Sequence, residues 1–116
     1  MKYRHYAPNT HCKLVYSDDN NCLVDTIKEI AKKYDSDKVL ILSAKENIQE
    51  FKTYNCLEIG SKNNLSEISH NIFSILRKID NYNVNVAIIE GVKPEGIGMA
   101  IMNRLIRACD YDYTKI

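Results

Sequence analysis

Val39-Leu40-Ile41-Leu42 is the segment that most constrains the fold of this chain. A strand with one wet face alternates apolar and polar residues. An unbroken apolar run of strand length belongs to a strand covered on both faces. Val84, Val86, Ala87, Ile88 and Ile89 form a further strand candidate, largely apolar, later in the chain. Strands covered on both faces come in parallel sheets, which need helices between successive strands.

The intervening sequence supplies those helices. From Cys22 to Tyr34 the apolar residues Leu23, Val24, Ile27, Ile30, Ala31 and Tyr34 fall at helical spacing. Asp35-Ser36-Asp37 ends that helix. Between Asn64 and Ile79 a second helical face carries Leu65, Ile68, Ile72, Phe73, Leu76 and Ile79, and Asn64 with Glu67 forms a capping-box variant. Ile97 to Cys109 is a third helix, apolar around much of its circumference, which predicts deep packing. Lys13-Leu14-Val15-Tyr16 and Cys56-Leu57-Glu58-Ile59 read as further strands, 46–51 as a short helix, and Tyr111 to Ile116 as an edge strand. The predicted fold is an α/β, small three-layer Rossmann-like sandwich. Its sheet of four or five strands is mainly parallel, with helices on both faces. Residues 1–12 form an arm and 13–116 the domain.

With 45% apolar and 27% charged residues, the chain has the make-up of a globular domain that folds without disulfides. Sixteen basic against fifteen acidic residues give no global field for nucleic acid or an anionic membrane. No apolar run is long enough to span a bilayer, and the N-terminus has no secretory h-region. A cytoplasmic location is expected. Cys12, Cys22, Cys56 and Cys109 are scattered without a C-x-x-C pair, so reduced thiols are expected rather than a metal or disulfide site.

Few segments carry chemistry. Asp18 and Asp19 follow the first strand as an acidic pair, and helix capping explains them better than a magnesium pocket. His70 has no second ligand at metal spacing, and Met99 and Met102 read as core filler. The loop from Glu90 to Gly98 precedes a helix, and Gly91, Gly96 and Gly98 could frame an anion at that helix N-terminus. It follows the last strong strand, and Ile101 stands where the third glycine of G-x-G-x-x-G belongs. A tight turn with close helix–sheet packing is the favoured reading. In the arm, Lys2, Tyr3, Arg4, His5 and Tyr6 combine cations for phosphates with π-faces for a purine, although a terminus of this composition is also compatible with disorder.

Three segments in order carry a resemblance. Met1-Lys2-Tyr3-Arg4-His5-Tyr6-Ala7-Pro8 resembles the interdomain linker of long-form threonylcarbamoyl-AMP synthases. Residues 72–80 are similar to that family's L-F-x-x-L-R-x-x-D helix, and Gly96 to Leu105 to its G-x-G-x-A-I-x-N-R-L helix. The resemblance implies a C-terminal accessory domain, whose YrdC-like catalytic partner domain normally shares its chain. In the complete enzyme, L-threonine, bicarbonate and ATP would give threonylcarbamoyl-AMP and pyrophosphate for a tRNA modification. ATP and threonine would bind in the partner domain with magnesium, tRNA would be engaged only indirectly, and this chain would bind no cofactor. Lys2, Tyr3, Arg4, His5 and Tyr6 would form a lid over the nucleotide. Because the resemblance places Met1 within the linker, turnover by these residues alone is not expected. An independent small-ligand or nucleotide sensor at the sheet's C-terminal edge, or a purely structural module, are the alternatives.

Overall fold

The computed structural model describes residues 7–116. It contains five strands, β1 (Cys12–Tyr16), β2 (Val39–Ala44), β3 (Asn55–Gly60), β4 (Val86–Glu90) and β5 (Tyr113–Lys115). Three α-helices, α1 (Asn20–Ala31), α2 (Leu65–Lys78) and α3 (Ile97–Ala108), lie between them. The strands run in the order β3-β2-β4-β1-β5, and every pairing is parallel.

The two apolar runs explain the architecture. Val39, Ile41, Val86 and Ile88 point to one face, where they pack with Leu23, Ile27 and Ala31 of α1. Leu40, Leu42, Ala87 and Ile89 point to the other, against Ile68 and Ile72 of α2 and Ile101 and Leu105 of α3. All eight strand residues have no solvent exposure. At roughly 25 cal/mol per Å² of apolar surface removed from water, these strands are the main source of stability. They pair with one another in register, Leu40 beside Ala87 and Ile41 beside Ile88.

Local signals place the helix ends. Asp19 caps α1, its Oδ1 accepting from the amides of Asn21 at 2.9 Å and Cys22 at 3.2 Å. Asn64 caps α2 by accepting from the Glu67 amide at 3.3 Å. The reciprocal half of that box is not formed, because the Asn64 amide donates to the Ser61 carbonyl.

Several boundaries differ from the sequence expectation. α1 stops at Ala31, three residues before Tyr34. The predicted helix over 46–51 is a single 3-10 turn, Ile48–Phe51, since Phe51 alone of that turn is buried. β4 begins at Val86, and it includes Glu90, which the sequence assigned to the following loop. α3 is amphipathic rather than deeply packed all round: Met102 is buried, but Met99 is 48% and Ile97 47% exposed. Met99 is therefore not core filler. Two residues before Ile101, it falls on the side of α3 away from the Ile101–Leu105 stripe that packs in the core.

Candidate functional site

Because the sheet is wholly parallel, its two ends are chemically different, and the candidate residues divide between them. All strands begin at one edge, where the ends of α2 and α3 return. All strands end at the other, where the loops leading into α1 and α3 start.

At the strand-end edge, β1 and β4 are neighbours whose connections leave in opposite directions. β1 continues through α1 to β2, and β4 through α3 to β5. Such a switch point opens a crevice between adjacent strand ends. Here the crevice is a cleft of about 280 Å³ lined by Tyr16, Asp18, Asn20, Lys62, Val92 and Lys93 among others. Glu90, at the end of β4, has no solvent exposure and pairs with Lys62 of that lining. Its Oε1 accepts from Ser43 Oγ at 2.8 Å and the Ala44 amide at 3.0 Å. Its Oε2 accepts from Asn47 Nδ2 at 2.8 Å, and Lys62 Nζ lies 2.6 Å away. Asn47 and Asn20 exchange amide hydrogen bonds. A buried carboxylate survives only when paired and hydrogen-bonded, as this one is. Tyr16 donates its hydroxyl to Asp18 at 3.0 Å. Burial, and then that carboxylate, push the Tyr16 phenol up to about 12.

The glycines lie beside this cleft, and each has a conformational reason. Gly96 has φ 57 and ψ −127, a conformation essentially reserved for glycine. A Cβ on Gly98 would stand 2.0 Å from the Lys93 carbonyl oxygen. A Cβ on Gly91 would press within 3.0 Å of Met102 Sδ and 3.1 Å of Tyr16 Cβ. The amides of Gly98 and Met99 at the start of α3 already donate to the carbonyls of Glu95 and Gly96. The loop thus spends its first helical donors on its own turn.

Asp19 caps α1 and Asp18 accepts from Tyr16. Among the described residues no three His, Cys, Asp or Glu side chains cluster as metal ligands. His70 is exposed on α2. Cys12 and Cys109 are buried free thiols, while Cys22 and Cys56 are half-buried. A hydrogen bond with Cys12, with burial behind it, raises the Cys109 thiol far above its ordinary value. Such a thiol is a poor nucleophile.

At the strand-start edge lies the root of the arm. Lys2, Tyr3, Arg4, His5 and Tyr6 lie outside the described residues, but Ala7 to His11 do not. The amides of Asn9 and Thr10 both donate to the Asp80 carboxylate at 2.9 Å, and Thr10 Oγ1 donates to it at 2.8 Å. Burial raises the Asp80 carboxyl, but the three donors outweigh that and hold it below the ordinary aspartate value. His11 and Lys13 both reach Asp112, at 2.9 and 3.1 Å. A cleft of about 500 Å³ runs between residues 7–12 and 107–111. Its rim carries two consecutive left-handed residues, Asp110 and Tyr111, with φ 53 and 65.

Among the described residues, the arm root at 7–11 and the glycine loop therefore lie at opposite ends of the sheet. Sequence reasoning gave no role to the Glu90–Lys62 pair or to the Asp80 contacts. An acidic residue directly after four apolar strand positions was the available signal for Glu90. Asp80 was visible as the last residue of the helix motif, yet nothing local linked it to residues 9 and 10.

The all-parallel five-stranded sheet with helices on both faces defines a small Rossmann-like α/β domain. The chain belongs to the threonylcarbamoyl-AMP synthase C-terminal domain family, whose profile matches residues 1–109. The threonylcarbamoyl-AMP synthase of Pyrococcus abyssi is 32% identical over 130 residues, spanning 100% of this chain and 33% of that protein. That of Schizosaccharomyces pombe is 33% identical over 116 residues, spanning 93% of this chain and 28% of that protein. A crystal structure of P. abyssi Sua5 complexed with L-threonine superposes with a TM-score of 0.73 at 27% identity, over 96% of this chain and 31% of that one. The C-terminal Sua5 domain from Pyrococcus horikoshii gives 0.70 at 28% identity, over 95% of this chain and 100% of that one. The chain thus spans about a third of the length of the full-length synthases it matches.

Proposed function

We propose that this chain acts as the accessory C-terminal domain of an L-threonylcarbamoyladenylate synthase, working through its arm. In that reading a YrdC-like catalytic domain condenses L-threonine, bicarbonate and ATP to threonylcarbamoyl-AMP and pyrophosphate. The product serves tRNA threonylcarbamoyladenosine formation in the cytoplasm. Lys2, Tyr3, Arg4, His5 and Tyr6 close over the nucleotide held by that domain. Cationic side chains complement the phosphates and aromatic faces cover the base, while closure excludes water. In this reading magnesium would bind with ATP in the catalytic domain.

The observation that carries the reading is the attachment of the arm. Residues 9 and 10, which follow the basic and tyrosine-bearing stretch in sequence, are held by three hydrogen bonds at one edge of the fold. The test is ATP–pyrophosphate exchange by the complete synthase with residues 2–6 replaced by glycine and serine. A rise in the KM for ATP of about tenfold or more is expected, the loss of one or two charge-assisted contacts. An unchanged KM and kcat would leave the domain a purely structural module.

The switch-point cleft supports a second reading, a small-ligand or nucleotide sensor, because it sits where open α/β sheets bind ligands. Calorimetry of the 116-residue chain with ATP, AMP and L-threonine decides it. Heat of binding abolished by Lys62→Ala is the supporting result, and no heat at millimolar ligand removes it.

A further inference from the structure

We propose that the cleft at the ends of β1 and β4 binds a free α-amino acid with a short apolar side chain, its carboxylate on Lys62 and Ser17 and its ammonium on Asp18. The inference rests on the small-ligand reading of that cleft and names the class of ligand.

Size narrows the choice first. The cleft holds about 280 Å³, just under the range, roughly 300–1,000 Å³, of sites that enclose drug-sized ligands. A nucleotide would leave much of its base, ribose or phosphates outside. A molecule of valine's size would be largely enclosed. Three connections build the walls: Ser17 and Asp18 follow β1, Val92 and Lys93 follow β4, and Lys62 lies just before Leu65 at the start of α2.

Unused hydrogen-bonding capacity in these walls supplies the chemistry. The Lys62 ammonium has three protons. Its Nζ lies 2.6 Å from Glu90 Oε2 and 3.4 Å from Asn20 Oδ1, so at least one proton has no acceptor among the described residues. Ser17 is only 5% exposed. Its Oγ accepts from the Asp19 amide at 3.1 Å, and its own proton has no acceptor among the described residues. A cation and a buried hydroxyl, both with a donor to give, suit a carboxylate. Asp18 is exposed, and its Oδ1 accepts from the Tyr16 hydroxyl at 3.0 Å. Its Oδ2 is left for a cationic group. Leu65 and Val92 make the remaining wall apolar.

An anionic end, a cationic end and a short apolar branch on one small molecule describe an α-amino acid. A plain carboxylate would leave Asp18 without a partner and facing like charge, and a plain amine would face Lys62 and Lys93. The buried network behind the cleft gains a purpose in this arrangement. A buried ion pair is a weak source of stability, yet Glu90, held by Ser43, Ala44 and Asn47, fixes the Lys62 ammonium before any ligand arrives. Preorganisation of this kind lowers the ordering cost of binding.

The test is a titration of the 116-residue chain followed through its backbone amide NMR signals. The probes are L-alanine, L-valine and L-leucine, with 3-methylbutanoate (valine without its ammonium), isobutylamine (valine without its carboxylate) and AMP. At least one of the three amino acids should shift the amides of Ser17, Asp18, Lys62 and Val92 saturably, at roughly millimolar concentration or below. The two truncated compounds should bind about tenfold more weakly than L-valine, the loss of one charge-assisted contact. Asp18→Asn lies outside the core and keeps an acceptor for Tyr16. It should weaken L-valine about tenfold and leave 3-methylbutanoate unchanged. Ser17→Ala should weaken L-valine and 3-methylbutanoate alike. Truncated compounds that bind as well as L-valine, or indifference to Asp18→Asn, would overturn the assignment. If AMP saturates these amides and no amino acid does, the small-ligand reading stands and the amino acid falls. If no probe gives a saturable shift, both fall.

Discussion

Lys62 sets its ammonium 2.6 Å from the Glu90 carboxylate, joining an exposed loop before α2 to the buried end of the central strand β4. The lysine is 29% exposed at its side chain while the glutamate is not exposed at all. Removing one partner leaves the other in very different circumstances.

Lys62→Ala leaves Glu90 with three neutral donors and no counter-charge in a buried place, and destabilisation of about 3 kcal/mol is expected. Glu90→Gln removes the charge and keeps the shape, and should cost less, about 1–2 kcal/mol. Urea unfolding monitored by circular dichroism gives both values. Equal costs would show that the ammonium adds nothing to the network.

The two glycines flanking Ile97 should answer differently to alanine. At Gly98 the new Cβ would lie 2.0 Å from the Lys93 carbonyl oxygen, so α3 or its loop must move. At Gly96 nothing lies within 4 Å, and only the backbone conformation is strained, at about 1–3 kcal/mol. Gly98→Ala should therefore lower the unfolding midpoint more than Gly96→Ala does.

The Asp80 hydrogen bonds predict a pH dependence. Its folded carboxyl titrates below the ordinary aspartate value, so its contribution is complete above the unfolded value near ~3.9. That contribution is lost as pH falls through the lower, folded value. Stability relative to Asp80→Asn should be constant near neutral pH and vanish in strong acid. The difference should stay below about 1 kcal/mol because the carboxylate is exposed. A difference that grows on acidification would reverse the sign and refute the assignment.

Ile88 is fully buried in the central strand, facing α1. Ile88→Ala should destabilise by about 2–5 kcal/mol, measured by thermal or urea unfolding. An effect below about 1 kcal/mol would mean the α1 layer packs loosely against the sheet.

Fold class was legible because Val39–Leu42 and Val86–Ile89 can only be strands hidden on both sides. Strand order was not, since nothing local tells β4 to insert between β1 and β2. The cap at Asp19 was readable because its partners are two and three residues away. The Asp80 contacts were not, because residues 9 and 10 are far from it in sequence, and Glu90 was misplaced by one boundary. Met99 misled by composition: its apolar side chain suited a core, but its angular position on α3 points it to solvent.

The separation of the arm root from the strand-end cleft has a thermodynamic consequence. Five strand residues at about 3.3 Å each put roughly 16 Å between them, beyond the range over which substitutions normally influence one another. Changes at Asp80 and Glu90 should then sum simply in a double mutant. Selection could alter how this domain is tethered without disturbing the opposite pole, and reshape that pole without loosening the tether.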